Sequence, residues 1–285
     1  MTAILEGAVA DGAIRRLRAR AQIAPPVAEL GDDLRLTSHS QLTLAVGRPL
    51  FVVSAYAWAS FTGHWLIAVL LVPIVFLANV VIVHDLMHRS LGLQQRTNSM
   101  LLGLLALLML DSGHALQATH AAHHRQFPGP GDPEAYMATW SVWRVLLEGP
   151  RYRYRLWAWA WRSQATHRAT LFVEFAVHVA IVTGAAVGAL QGSHRALSVY
   201  VAVGLVGSWL FPLISVTAVH DAHGVTPFQQ SKTVRGRIVP ASMLGMGYHL
   251  EHHLWPMIPS HHLAETARRT QEILDCQQAR IVRVP

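Results

Sequence analysis

The chain has 285 residues, of which 52% are hydrophobic and only 14% charged, too apolar for an ordinary soluble domain. Its formal charge of +7 is carried almost wholly by arginine, with Lys232 the only lysine. In so apolar a chain, that charge reads as facing anionic lipid headgroups rather than nucleic acid, which is excluded as a partner. The single cysteine, Cys276, rules out an intrachain disulfide and any Cys-x-x-Cys metal site, and reads as a free surface thiol.

Residues 1–41 form a polar, partly helical arm on the cytoplasmic side, broken at Pro25-Pro26. Arg15 to Arg20 lie in a mixed, helical-looking segment rather than ahead of an apolar run, so no signal sequence is expected there. The remainder, 42–285, reads as one membrane domain. Apolar stretches at about Leu42 to Thr62 and His64 to Val83 each approach the roughly 20 residues a spanning helix needs. They meet at Gly63, which predicts a tight hairpin, and Pro73 predicts a kink in the second. Ser99 to Leu110 is too short to cross and is expected to lie in the interface or against the spans. The Trp, Tyr and Arg mixture between Trp140 and Arg162, including Trp157, Trp159 and Trp161, predicts an interfacial belt. Spans three and four follow at about Ala169 to Leu190 and Ala196 to Val219, joined by a short loop near Gln191 to Arg195.

Basic residues orient these spans. Five fall in residues 1–41, nine between His84 and Arg168 and seven after Val219, while the outer turns carry only Arg195. By the positive-inside rule both termini lie in the cytoplasm and the four spans form two hairpins.

Three histidine motifs then fall on the same, cytoplasmic side. His84 and His88 form an i, i+4 pair at the end of span two. His120, His123 and His124 follow an H-x-x-H-H pattern, which His249, His252 and His253 repeat inside Gly247-Tyr-His-Leu-Glu-His-His-Leu-Trp-Pro256. Residues three and four apart share a helix face, so each motif can converge on a metal. Eight imidazoles are too many for one tetrahedral zinc and suit two metal ions. The fold expected is an all-α integral membrane protein of four transmembrane helices, with a cytoplasmic helical cap holding the histidine boxes.

Three boxes in this order and topology resemble the integral-membrane fatty acid desaturase and hydroxylase superfamily, whose relatives include carotenoid hydroxylases and ketolases. The resemblance covers roughly residues 42–265. It implies a di-iron centre, O2 as co-substrate, a lipid or carotenoid substrate taken from the bilayer, and a separate electron donor such as ferredoxin or cytochrome b5 with its reductase. It also implies a further ligand at the cytoplasmic end of span four, where His220 stands. Asp85, Asp221 and His223 adjoin these ligands and are candidates to orient them through hydrogen bonds.

Other polar residues carry plainer expectations. Glu174 and His178, i and i+4 inside span three, are expected to satisfy each other; His114 reads as a helix-end residue, and His261 and His262 as solvated. Gly129-Pro-Gly-Asp-Pro133 is a turn at the rim of the site.

The function expected is O2-dependent desaturation or hydroxylation of an acyl lipid. Both reactions begin with hydrogen abstraction, so the ligands alone do not choose between them. His249 stands where front-end desaturases of the family typically carry Gln, and no fused cytochrome b5 motif is present, which disfavours that branch. Carotenoid ring hydroxylation or ketolation is the alternative, since the run from His123 to Pro133 is similar to that branch. A non-catalytic metal-binding membrane protein is a distant third reading.

Overall fold

The computed structural model describes residues 23–285, so the helical reading of Arg15 to Arg20 lies outside the described residues. The described chain is mainly helical and divides into two compact units, residues 37–219 and the segment up to Leu36 taken with His220–Pro285.

The larger unit contains seven helices of thirteen or more residues: α1 (His39–Phe61), α2 (Trp65–His88), α3 (Gln95–Leu107), α4 (Gly113–Gln126), α5 (Val142–Ser163), α6 (Arg168–Leu190) and α7 (Arg195–Pro212). Four helical stretches, α1, α2, α6 and α7 with its continuation to Thr217, are long and apolar enough to cross a membrane. Helix α1 starts at a reciprocal cap: the Ser38 hydroxyl accepts from the Gln41 N–H, and the Gln41 side chain accepts from the Ser38 N–H. Pro73 sits inside α2 without ending it. That helix runs through His84 and stops only at Arg89, whose left-handed φ of 54° terminates it directly after His88.

Helix α2 is the centre of this unit and packs against α1, α3, α4 and α7. Its lower half, Ile82, Val83 and Leu86, joins Leu102, Leu105 and Ala106 of α3 and Tyr152 and Leu156 of α5 in the main core. The short apolar stretch near Ser99 packs Leu102, Leu105 and Ala106 against the core and leaves Met100 and Leu104 exposed. Helix α5 carries the aromatic and arginine mixture as an amphipathic helix, with Val145, Tyr152 and Leu156 buried and Trp143, Leu147 and Tyr154 exposed. It approaches α7 closely at Gly149, where a Cβ would overlap the Trp209 carbonyl, and the Trp209 indole N–H donates to the Leu146 carbonyl.

Helix α7 continues as a π-helical turn, Leu213–Thr217, three residues before His220. Such turns widen a helix and recur at functional sites.

The smaller unit corrects the all-α expectation. Strands β1 (Lys232–Arg235) and β2 (Arg280–Arg283) pair in parallel, and four-residue strands with no extended alternation leave little trace in sequence. The described part of the arm is tied into this unit: the Trp255 indole donates to the Pro25 carbonyl at 2.7 Å, and Arg269 pairs with Asp33 at 2.6 Å. Helix α8 (His249–Leu254) is only six residues long and is held from outside. The Val234 N–H of β1 donates to the Gly247 carbonyl at 2.8 Å, and Arg235 of β1 pairs with Glu251 of α8 at 2.6 Å.

Glu251 is fully buried, and burial pushes its carboxyl above the ordinary range while Arg235 pulls it back. Arg235→Ala is expected to destabilise this unit by about 3–5 kcal/mol, because it strands a buried acid, and to lower the thermal midpoint in detergent. The double change Arg235→Met with Glu251→Leu should recover most of that loss. Equal midpoints for Arg235→Ala and the native chain would show the pair to be energetically idle.

Candidate metal sites

Of the nine histidines singled out by sequence, five lie in the larger unit and four in the smaller. In the larger unit, the end of α2 presents His84 and His88 to α4, which carries His120, His123 and His124. Helix α4 begins at Ser112, whose hydroxyl accepts from the Ala115 N–H, and is rich in alanine, so little competes with its helical backbone. Ring centroids lie 5.0 Å apart for His84 and His88, 5.0 Å for His84 and His120, 4.8 Å for His88 and His124 and 4.6 Å for His120 and His124. Nitrogens of His84, His88 and His120 lie within 4.8 Å of one another.

In the smaller unit, strand β1 does the gathering. His220 forms an antiparallel bridge with Ser231, next to β1, and β1 in turn holds the start of α8. His220, His249 and His253 consequently point their Nε2 atoms at one another, with separations of 3.1 Å (His220 to His249), 3.1 Å (His220 to His253) and 3.0 Å (His249 to His253).

Three ring nitrogens converging in this way can also serve as ligands to a single cation. The spacing lets these three nitrogens share one metal ion. His120 and His124 have the same relation, Nε2 to Nε2 at 3.1 Å.

The two H-x-x-H-H boxes behave alike. In each, the i, i+4 pair converges, with rings 4.6 Å apart, while the middle histidine stands aside, His123 at 5.7 Å from His120 and His252 at 5.9 Å from His249. Helical geometry causes this: positions i+3 and i+4 lie on opposite flanks of position i, about 100° apart around the axis.

Two residues that orient the ligands were missed in the sequence. The His123 Nδ1 is 2.7 Å from Asp132 Oδ2, and the His120 Nδ1 is 2.9 Å from Glu134 Oε2. Each ring thus donates its Nδ1 proton to a carboxylate and keeps Nε2 as the bare donor atom, which fixes tautomer and tilt together. The carboxylates are themselves held. Asp132 Oδ1 accepts from the Glu134 and Ala135 N–H groups at 2.8 and 3.1 Å, and Glu134 Oε1 accepts from the Thr119 hydroxyl at 2.8 Å. Burial raises the Asp132 pKa, but the His123 ring and those backbone donors outweigh it and hold the carboxyl below the usual range. Burial, then the neighbouring His120, drives the His124 pKa far down, so that ring is neutral and ready to coordinate. The signal available was two acids flanking Pro133 in a chain with few acids; the segment read as a rim turn is the support for two ligands.

Of the residues expected to orient ligands, Asp85 is buried on α2. Asp221 is occupied elsewhere, its Oδ2 2.8 Å from Arg280 and its Oδ1 accepting the His223 N–H at 3.0 Å, while the His223 ring is exposed. The Glu174–His178 pairing is also corrected. Glu174 is 2.7 Å from His114 Nδ1 and accepts from the Ser112 hydroxyl at 2.6 Å; the tertiary partners lie on α4 and its cap, out of reach of any argument from spacing within α6. His262 is hydrogen-bonded to the Leu36 carbonyl at 2.9 Å rather than simply solvated. Cys276 is a free, exposed thiol.

Among curated proteins, none matches the sequence. Residues 62–284 match the family model described as fatty acid desaturase, an interval that contains both histidine clusters. On that match the chain belongs to the fatty acid desaturase family, a family of membrane oxidoreductases.

Proposed function

We propose that the protein is a membrane di-iron oxidoreductase that uses O2 to desaturate or hydroxylate an acyl lipid. His84, His88, His120, His123, His124, His220, His249, His252 and His253 would supply the ligands of the two irons. The observation that carries this reading is the convergence of the Nε2 atoms of His220, His249 and His253, which would let them share one metal ion. When bound, iron supplies the redox capacity that couples reduction of O2 to oxidation of an unactivated C–H bond.

The chain's own residues make that possible by staying neutral and fixed. Uncharged imidazoles leave the cluster's positive charge high, and Asp132 and Glu134 hold the Nδ1 protons of His123 and His120 so that neither ring turns. Electron balance adds a partner. Desaturation and hydroxylation each draw two electrons from substrate while O2 takes four, so a separate donor such as ferredoxin, or cytochrome b5 with its reductase, delivers the other two. We place the spans as two hairpins with both termini, the histidine clusters and the donor in the cytoplasm, following the basic-residue asymmetry.

The test is expression in a bacterium that accumulates beta-carotene, with ferredoxin and its reductase supplied and a His252→Ala control. Fatty acid methyl esters and pigments are extracted from the same cells and analysed by mass spectrometry. A new double bond or hydroxyl in the acyl chains, absent from the control, is expected. Oxygenated carotenoids with unchanged acyl chains would replace the acyl substrate by a carotenoid. No new product in either fraction would overturn the oxygenase reading.

A further inference from the structure

On the larger unit, a polar cavity of about 670 Å3 opens between the end of α2, the start of α3, α4 and the loop that joins α5 to α6. No aspartate or glutamate lines it, whereas Arg89, just past α2, and Arg125, in the last turn of α4, both do. Both arginines are exposed, and neither guanidinium has an ion-pair or hydrogen-bond partner among the described residues. Gln95, Gln164 and Thr166 add neutral donors to the same lining. Helices α3 and α6 both begin at this cavity, at Gln95 and just after His167. Neither start has a side-chain cap, so both helix N-termini add positive potential there.

The cavity runs on into an apolar groove, with Gln95, Ser99 and His114 lining both. The groove follows α3 and α6 and is walled by Met100, Leu104, Val173 and Val177, all exposed; Arg96 also lines it. At the helical rise, Val173 and Val177 stand about 8 and 14 Å past Arg168 along α6. That is hydrocarbon depth for a spanning helix that begins at headgroup level. One acid, Glu174, lies on the groove, but its oxygens are taken by the Ser112 hydroxyl at 2.6 Å and His114 Nδ1 at 2.7 Å. The other His114 nitrogen meets the Ser99 hydroxyl at 2.7 Å, so these groups bond to one another and form the wall.

Charge and shape together select the occupant. An acid-free polar cavity with two accessible guanidinium groups suits an anion, and the groove that continues from it suits a hydrocarbon chain. A phosphodiester with its glycerol oxygens offers more acceptors to two arginines and the neighbouring amides than a lone carboxylate does. The ammonium of a zwitterionic headgroup would meet the same arginines as a like charge. We infer that this cavity and groove bind an anionic phospholipid, its phosphate held by Arg89 and Arg125 and an acyl chain laid along α3 and α6. The inference needs no metal and does not rest on the oxygenase reading.

The experiment is native mass spectrometry of the full chain, released from neutral detergent and titrated with phosphatidylglycerol or phosphatidylcholine of identical acyl chains. Glycerol 3-phosphate and palmitate serve as competitors. Phosphatidylglycerol is expected to bind about ten- to thirtyfold more tightly than phosphatidylcholine, through two arginines at its headgroup. Arg89→Gln combined with Arg125→Gln should bring the two lipids level. Because Arg89 also ends α2, Gln164→Glu, which adds an acid in the exposed loop and leaves both arginines in place, serves as the second variant. It should weaken phosphatidylglycerol about three- to tenfold. Val177→Trp, which fills the groove, should weaken both lipids and leave glycerol 3-phosphate unchanged. Equal binding of the two lipids by the native chain, a phosphatidylglycerol preference that survives the arginine and Gln164 variants, or stronger competition by palmitate would each overturn the proposal. Glycerol 3-phosphate binding as tightly as the lipid would also overturn it, leaving a site for a free phosphate ester.

Discussion

His220→Ala is expected to cost the protein one of its two metal ions and to abolish turnover. His220 lies outside the three boxes, yet its Nε2 is 3.1 Å from those of both His249 and His253, so its removal takes away one of three converging nitrogens. Losing a residue that merely orients a ligand costs about 10–100-fold in metal affinity or activity, and losing the ligand itself costs more. Metal content per chain, measured alongside product formation, should fall by one equivalent while the second ion stays bound. His223→Ala is the control: three residues away and exposed, it should change neither quantity. Full metal retention in His220→Ala would remove His220 from the ligand set.

The second large effect is expected at two acids. Glu134→Gln and Asp132→Asn should each lower metal affinity or activity by about 10–100-fold without unfolding the chain. Glu134→Gln keeps an oxygen for the His120 Nδ1 proton and removes the negative charge that raises its basicity, while Asp132→Asn removes the charge beside His123 and also one of the two acceptor oxygens that His123 and the Glu134 and Ala135 N–H groups share. A purely structural role would leave the reduction potential of the bound metal unmoved, so a potential shift alongside the activity loss identifies the electronic role. Glu148→Gln, which disturbs only a partly exposed pair with Arg151, should behave as the native chain. Native activity and potential in both Glu134→Gln and Asp132→Asn would reduce those contacts to packing.

What could be read from the sequence was whatever depends on local spacing. Apolar run length located all four candidate spans to within a few residues of the helices found, because the thickness of a bilayer is reflected in residue count. The i, i+4 relation announced the convergence of His120 with His124 and of His249 with His253 for the same reason. Relations that depend on chain segments meeting were not legible. Asp132 meets His123 across a turn, Glu174 meets His114 sixty residues away, and β1 gathers His220 and α8 through a four-residue strand. Asp221 shows the reverse error: nearness in sequence to a ligand suggested a role that its pairing with Arg280 takes away.

The most direct test of the account is the metal itself. The full chain is expressed with iron and zinc both available, purified without added metal, and measured for metal content, with Mössbauer spectra taken on 57Fe-enriched protein. Two non-haem irons per chain in nitrogen-rich sites are expected. Folded protein that holds only zinc, or no metal at all, would contradict it.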